Sequence, residues 1–143
     1  KSWEDMLSFG GVDNANDEEL RPFAWSILMA TCSKNFLAMA GSDKAASWVD
    51  HICLNNRRMG LSALLQQTST KSPFDYCDAI TSKSKTIIQF TVGEEDIIAT
   101  VNEVQKLNDA IGWDDIIVYD GCGHAVLNEN TRQWRRDALV FLA

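Results

Sequence analysis

Apolar and polar positions along this chain follow two different rhythms. From Ser2 to about Ser69 the apolar residues recur at helical spacing and no stretch reads as a strand. Ser2 followed by Asp5 resembles a capping box in front of Met6, Leu7 and Phe9, with Gly10 and Gly11 closing a short helix. Asn14–Glu19 reads as an acidic linker. Pro22 then suits the first turn of a helix with Phe23, Ile27 and Ala30 on one side and Trp25, Leu28 and Met29 on another, a breadth that predicts burial on more than one face. Ser33–Ala40 is a further short helix ending at Gly41. Ser42 or Asp43 is expected to cap the longest one, whose stripe Ala45, Trp48, Val49, Ile52, Cys53, Asn56 and Met59 keeps its spacing up to Gly60. Leu61, Ala63, Leu64 and Leu65 continue for one or two turns, Thr68–Pro73 is a loop, and Asp75–Ile80 is a short connector.

After Ile80 the rhythm changes. Thr86–Val92 is a continuous β-branched and aromatic run, too apolar for a half-exposed strand and of the length of a buried parallel one. It stops at Gly93, and Glu94, Glu95 and Asp96 follow. A helix is expected from Val101, capped by Thr100, with Val104, Leu107 and Ile111 on one face and Gly112 at its end. Asp115–Tyr119 is the second strand, running into Asp120, Gly121, Cys122, Gly123 and His124. A last helix carries the stripe Trp134, Ala138, Phe141 and Leu142. Strand, helix, strand of this length predicts two parallel strands with a right-handed crossover, and chemistry in open α/β sheets sits beyond the carboxyl ends of the strands. Asp96 and His124 both fall there. The composition shift divides the chain into a helical region, 1–80, and an α/β region, 81–143.

Two parallel strands that are apolar on both faces need neighbours alongside. The sheet is therefore expected to be completed by a second chain, by a segment removed upstream or by self-assembly, and the chain alone is not expected to be a stable monomer. There is no internal repeat and no low-complexity tract. The net charge of −7 argues against nucleic acid, which requires a basic patch; Arg57 with Arg58 and Arg135 with Arg136 read as solvated helix faces. No apolar run reaches the length of a membrane span, and Lys1–Gly10 lacks the apolar core of a signal peptide. The 4 cysteines, Cys32, Cys53, Cys77 and Cys122, form neither a CxxC pair nor a dense framework, so unbridged thiols in a reducing, cytoplasmic compartment are expected. With only 2 histidines no metal site is expected; His51 and Cys53 make a lone HxC on a helix, and His51 reads as a helix-surface or lid-contact residue.

A serine or cysteine nucleophile is weak until a base takes its proton, and a histidine held by a carboxylate on its far nitrogen is the usual base. In that chemistry His124 is the base and Asp96 the orienting acid. Asp96 is preferred because it is the last acid before Ile97 and Ile98, Glu94 and Glu95 reading as solvated loop carboxylates, although a one-turn slip exchanges it for Glu95. Cys122, two residues from His124, reads as a packing thiol in a Gly-flanked turn. Most Trp, Met and Phe side chains of 1–80 read as core, with Trp25, Met29 and Trp48 as candidates to face a substrate pocket.

Thr86–Val92 with Gly93-Glu94-Glu95-Asp96, then a helix, then Ile116–Tyr119 with Gly121-Cys122-Gly123-His124, resembles the last two strands of the α/β-hydrolase fold. There the first turn carries the acid of a Ser-His-Asp triad and the second its histidine, here 28 residues apart. Region 1–80 is similar to the helical lid that this family inserts ahead of the acid-bearing strand, in the style of esterases, enol-lactonases and cofactor-free haloperoxidase-like members. The resemblance implies an α/β chain made of a helical lid and the last β-α-β-α unit of a hydrolase sheet. It implies a cofactor-independent hydrolase acting on an ester or lactone of a small, fairly apolar molecule. The family's G-x-S-x-G elbow is absent from the sequence, Gly60-Leu61-Ser62 lying in a helical run. The resemblance thus implies a partner: an N-terminal half, second chain or removed segment, that brings the serine and the oxyanion donors. Two other outcomes share these residues: a non-catalytic module that holds a small apolar ligand, or an acyltransferase or lyase using the same triad.

Overall fold

The computed structural model describes residues 2–8, 18–68, 70–83, 87–113 and 115–143. Gly10 and Gly11, most of the Asn14–Glu19 linker and the first residue of the Thr86 strand lie outside these. The described residues are mostly helical with two short parallel strands, and the chain divides into two compact units, 1–29 with 37–72 and 30–36 with 73–143. The composition break at Ile80 therefore differs from the structural one: 73–80 and the distant segment 30–36 both belong with the C-terminal residues.

In the helical unit, α1 (Trp3–Ser8) begins with the reciprocal cap read from the sequence: the Asp5 amide donates to Ser2 Oγ and the Ser2 amide to Asp5 Oδ2, both 3.2 Å. Trp3 sets its indole edge-on to Phe23, centroids 6.1 Å apart, and donates Nε1–H to Ser26 Oγ at 2.9 Å. A single 3₁₀ turn, Glu18–Leu20, leads into α2 (Arg21–Thr31). Its Phe23, Ala24 and Leu28 are buried, but Met29 is 66% exposed, so the second apolar face is only partly covered. After α3 (Lys34–Ala40), α4 (Ser42–Asn55) starts from Gly41, and neither Ser42 nor Asp43 makes a side-chain cap. Both stand inside the first turn, where Asp43 favours the helix through its charge.

The expected continuation to Gly60 does not occur. Asn55 and Asn56 donate their side-chain amides to the carbonyls of His51 and Ile52, each at 2.8 Å, which satisfies acceptors of the last turn, and Asn56 turns extended. A new helix, α5 (Arg58–Thr68), then carries Gly60 in its interior. Arg58 is not a solvated residue: its side chain is only 7% exposed and Nη1 meets Glu19 Oε2 at 2.9 Å. A buried guanidinium must be paired, because stripping water from a lone charge costs far more than the pair returns.

In the other unit Pro73–Tyr76 forms a 3₁₀ turn and Cys77–Lys83 is helix α6, in place of an irregular connector. Pro73 lacks the amide that a first turn cannot use, so it starts a helix as readily as it ends one. Strand β1 (Thr91–Gly93) pairs in parallel with β2 (Ile117–Tyr119), Val92 opposite Val118. The paired segments are shorter than the apolar runs: 87–90 precedes β1, only its Phe90 carbonyl accepting from the Ile117 amide of β2 at 3.0 Å, and Ile87 and Val118 are exposed. Between them α7 (Val101–Ile111) has the cap that Thr100 suggested, completed by Glu103. The Glu103 amide donates to Thr100 Oγ1 and its carboxylate accepts from the Thr100 amide at 3.0 Å. Gly112 ends it at φ 77°, sending its N–H to the Asn108 carbonyl.

Beyond β2 come α8 (Val126–Glu129) and α9 (Thr131–Leu142). Tyr119, Cys122 and Val126 form a buried cluster against Ile117 and Trp134. Tyr119 reaches through it to donate its hydroxyl to Asp137 Oδ2 at 3.2 Å, which pins α9 to β2. Of the predicted α9 stripe Trp134 and Ala138 are half-buried, whereas Phe141 and Leu142 are exposed.

Candidate functional site

The carboxyl ends of β1 and β2 are joined by a short network. The Glu94 amide donates to the Tyr119 carbonyl at 3.0 Å and the Glu95 amide to that of Cys122 at 2.8 Å, while Glu94 Oε2 accepts from the Gly121 amide at 2.9 Å. Glu94, read from sequence as a solvated loop carboxylate, is thus a strut between the two turns. The turns come so close that a side chain on Gly93 would strike the Cys122 and Gly123 carbonyls, and one on Gly123 would meet Ser33 N at 2.8 Å and Cys32 C at 2.9 Å. Both glycines are required by close backbone approach rather than by flexibility.

This arrangement brings Asp96 and His124 together. The Asp96 side chain is 4% exposed; its Oδ1 accepts from the Ile98 amide at 2.8 Å and the Ala99 amide at 3.0 Å, and its Oδ2 lies 2.8 Å from His124 Nδ1. The first pair of bonds is an Asx turn, which orients the carboxylate independently of the histidine. A carboxylate only accepts, so Nδ1 carries the proton and the neutral ring keeps Nε2 as an acceptor. Nε2 has no partner among the described residues, and the imidazole is 44% exposed. Such a ring is oriented on one nitrogen and open on the other, the state a general base requires. It is Asp96, not Glu95, that the ring meets; Glu95 is exposed.

Of the other sequence candidates, Trp25, Met29 and Trp48 belong to the helical unit. Trp25 and Trp48 are half-buried within the helical unit, and the Lys44 ammonium lies 5.9 Å over the Trp48 ring. Met29, in the same unit, is exposed. His51 is exposed on α4 and shares a 3.2 Å contact with Asn55, while Cys53 on the same helix is buried, so the two do not face one ion. None of Cys32, Cys53, Cys77 and Cys122 is in a disulfide. Cys122 is buried beside His124 in sequence, and burial, with the Glu129 charge adding to it, pushes its thiol upward. A thiol held protonated is a poor nucleophile. No cluster among the described residues has three groups able to hold a metal, and no helix among them is long and apolar enough to cross a membrane.

One residue of the site escaped sequence reading. Glu129, the last residue of α8, accepts the Gly123 amide on both oxygens and the Ser33 amide on Oε2, each at 3.1 Å. The Ala125 amide donates to the Thr31 carbonyl at 2.8 Å alongside it. Its spacing from His124 carries no periodic signal, because its partners are backbone atoms and one lies 96 residues away. No protein-family model, curated protein or solved structure matches this chain.

Proposed function

We propose that Asp96 and His124 are the acid and the base of a serine-type hydrolase that cleaves an ester or lactone of a small, fairly apolar molecule. The observation that carries this reading is the 2.8 Å bond from a buried, twice-anchored carboxylate to Nδ1 of a ring whose other nitrogen is open. His124 takes the proton of a serine hydroxyl through Nε2 as the serine attacks the acyl carbon, then returns it to the departing oxygen. Asp96 holds the tautomer and offsets the imidazolium charge between those two moments. In this proposal the serine comes from an N-terminal half of the same fold, as a second chain or a preceding segment, and the α/β residues 81–143 are the end of a hydrolase core.

The test uses the assembled protein purified from its source. A fluorophosphonate probe is expected to label a serine outside this chain, and p-nitrophenyl acetate to be hydrolysed. His124→Ala is expected to abolish both. Labelling and turnover that persist in His124→Ala would overturn the assignment.

A further inference from the structure

The turn that carries His124 is held by few bonds, and each has a named partner. Gly121 is held by Glu94, Cys122 by the Tyr119 and Glu95 backbones, Gly123 by Glu129, and Ala125 by Thr31. Of these anchors only Glu129 is a side chain that also grips a second stretch of backbone, through the buried Ser33 amide. The only local reason for an acid here is the start of α9, whose N-cap Asn130 follows directly and where negative charge is favoured. A carboxylate at the C-terminal end of a helix opposes the dipole, and α8 is only 4 residues long. Glu129 is explained instead by the two amides it meets. Its carboxylate lies between these two stretches of backbone, 3.1 Å from the Gly123 amide and 3.1 Å from the Ser33 amide.

Gly123 immediately precedes His124 and packs directly against the 31–33 backbone, so a shift of its amide is passed on to His124. A drift of about 1 Å there would stretch the Asp96–His124 bond beyond hydrogen-bonding range. We propose that Glu129 is the positioning residue of the His124 turn, its carboxylate fixing the Gly123 and Ser33 amides so that the imidazole keeps its hydrogen bond to Asp96. The kinetic part of this inference rests on the hydrolase proposal; the structural part does not.

In the assembled protein, with this chain ¹⁵N-labelled, the experiment compares the wild type with Glu129→Gln and Glu129→Ala. It follows exchange with water of the His124 Nδ1–H proton, assigned by its loss in His124→Ala. Exchange is expected to quicken about tenfold or more in Glu129→Ala and by less in Glu129→Gln, which keeps one acceptor oxygen and the side-chain volume, while the helical dichroism is unchanged. Should the alanine variant fail to fold, the glutamine variant decides. Wild-type exchange in the variants would overturn the inference, as would absence of the protected proton from the wild-type chain. In the assembled protein Glu129→Gln is expected to lower kcat by about 10 to 100-fold with KM unchanged, as for a misplaced catalytic group; a loss confined to KM also overturns it. If His124→Ala keeps full esterase activity, the hydrolase proposal falls and the exchange result still decides the role of Glu129.

Discussion

The two substitutions Asp96→Ala and Asp96→Asn separate the structural from the chemical work of one carboxylate. Oδ1 satisfies two backbone amides and Oδ2 one imidazole N–H. Alanine leaves all three donors without their acceptor. Unsatisfied buried donors cost about 1–3 kcal/mol each, and because Ile98 is 39% exposed and Ala99 half-buried, water offsets part of this, leaving about 2 kcal/mol for the pair. The half-exposed imidazole adds about 1 kcal/mol, for a total of about 3 kcal/mol. Asparagine keeps an oxygen for the Asx turn and loses only the charge assistance of those bonds, about 1 kcal/mol. Urea denaturation of the two variants at equal m-value is expected to show a gap of about 2 kcal/mol. With its oxygen committed to the turn, the amide group introduced by Asp96→Asn faces His124 as a donor and forces the ring proton onto Nε2. Ring ¹⁵N shifts are expected to report that tautomer, and turnover of the assembled enzyme to fall on the order of 10⁴-fold. Equal stability of the two variants, or an unchanged tautomer in Asp96→Asn, would refute the reasoning.

Gly93→Ala forces a methyl group against the Cys122 and Gly123 carbonyls, which cannot move without moving His124, so a loss of about 1–3 kcal/mol in thermal unfolding and a disturbed Nδ1–H signal are expected together. Thr100→Ala removes half of a reciprocal cap and is expected to cost about 1 kcal/mol in chemical denaturation without touching the Asp96–His124 bond. Burial and the bond to Asp137 raise the Tyr119 phenol to about 12 from an ordinary value of 10.0. The folded state therefore holds its proton more tightly than the unfolded one. The stabilisation is complete below about pH 10 and is lost as pH rises towards 12, and Tyr119→Phe is expected to flatten that fall in unfolding measured across pH.

Where a signal was local, sequence reading and structure coincide. The Ser2–Asp5 cap, the Thr100 start and Gly112 end of α7, and the strand-end placing of Asp96 and His124 all depend on residues within one or two turns of each other, and such short-range preferences act in any context. The same logic misled at α4, whose apolar spacing runs smoothly past Asn56 while two asparagine side chains close the helix there. It also misled at 75–80, read as a short connector, where a 3₁₀ turn from Pro73 leads into α6. Arg58 looked solvated because its neighbour Arg57 suggested a charged face; only the fold supplies Glu19, 39 residues earlier.

What tertiary structure alone decided is which backbone amides have no partner of their own and so demand a carboxylate from afar. Glu94 reads in sequence as a surface acid, and nothing in the chemistry of Glu129 marks it out either. The close passage of Gly93 against Cys122, and of Gly123 against 31–33, leaves amides that Glu94 and Glu129 satisfy. Periodicity is a property of one element, whereas an orphaned amide is a property of two that meet. The sequence by itself therefore determined the Ser2–Asp5 cap, both ends of α7 and the strand ends at which Asp96 and His124 stand. The distance between those two, and the struts that hold it, exist only once the turns are packed together.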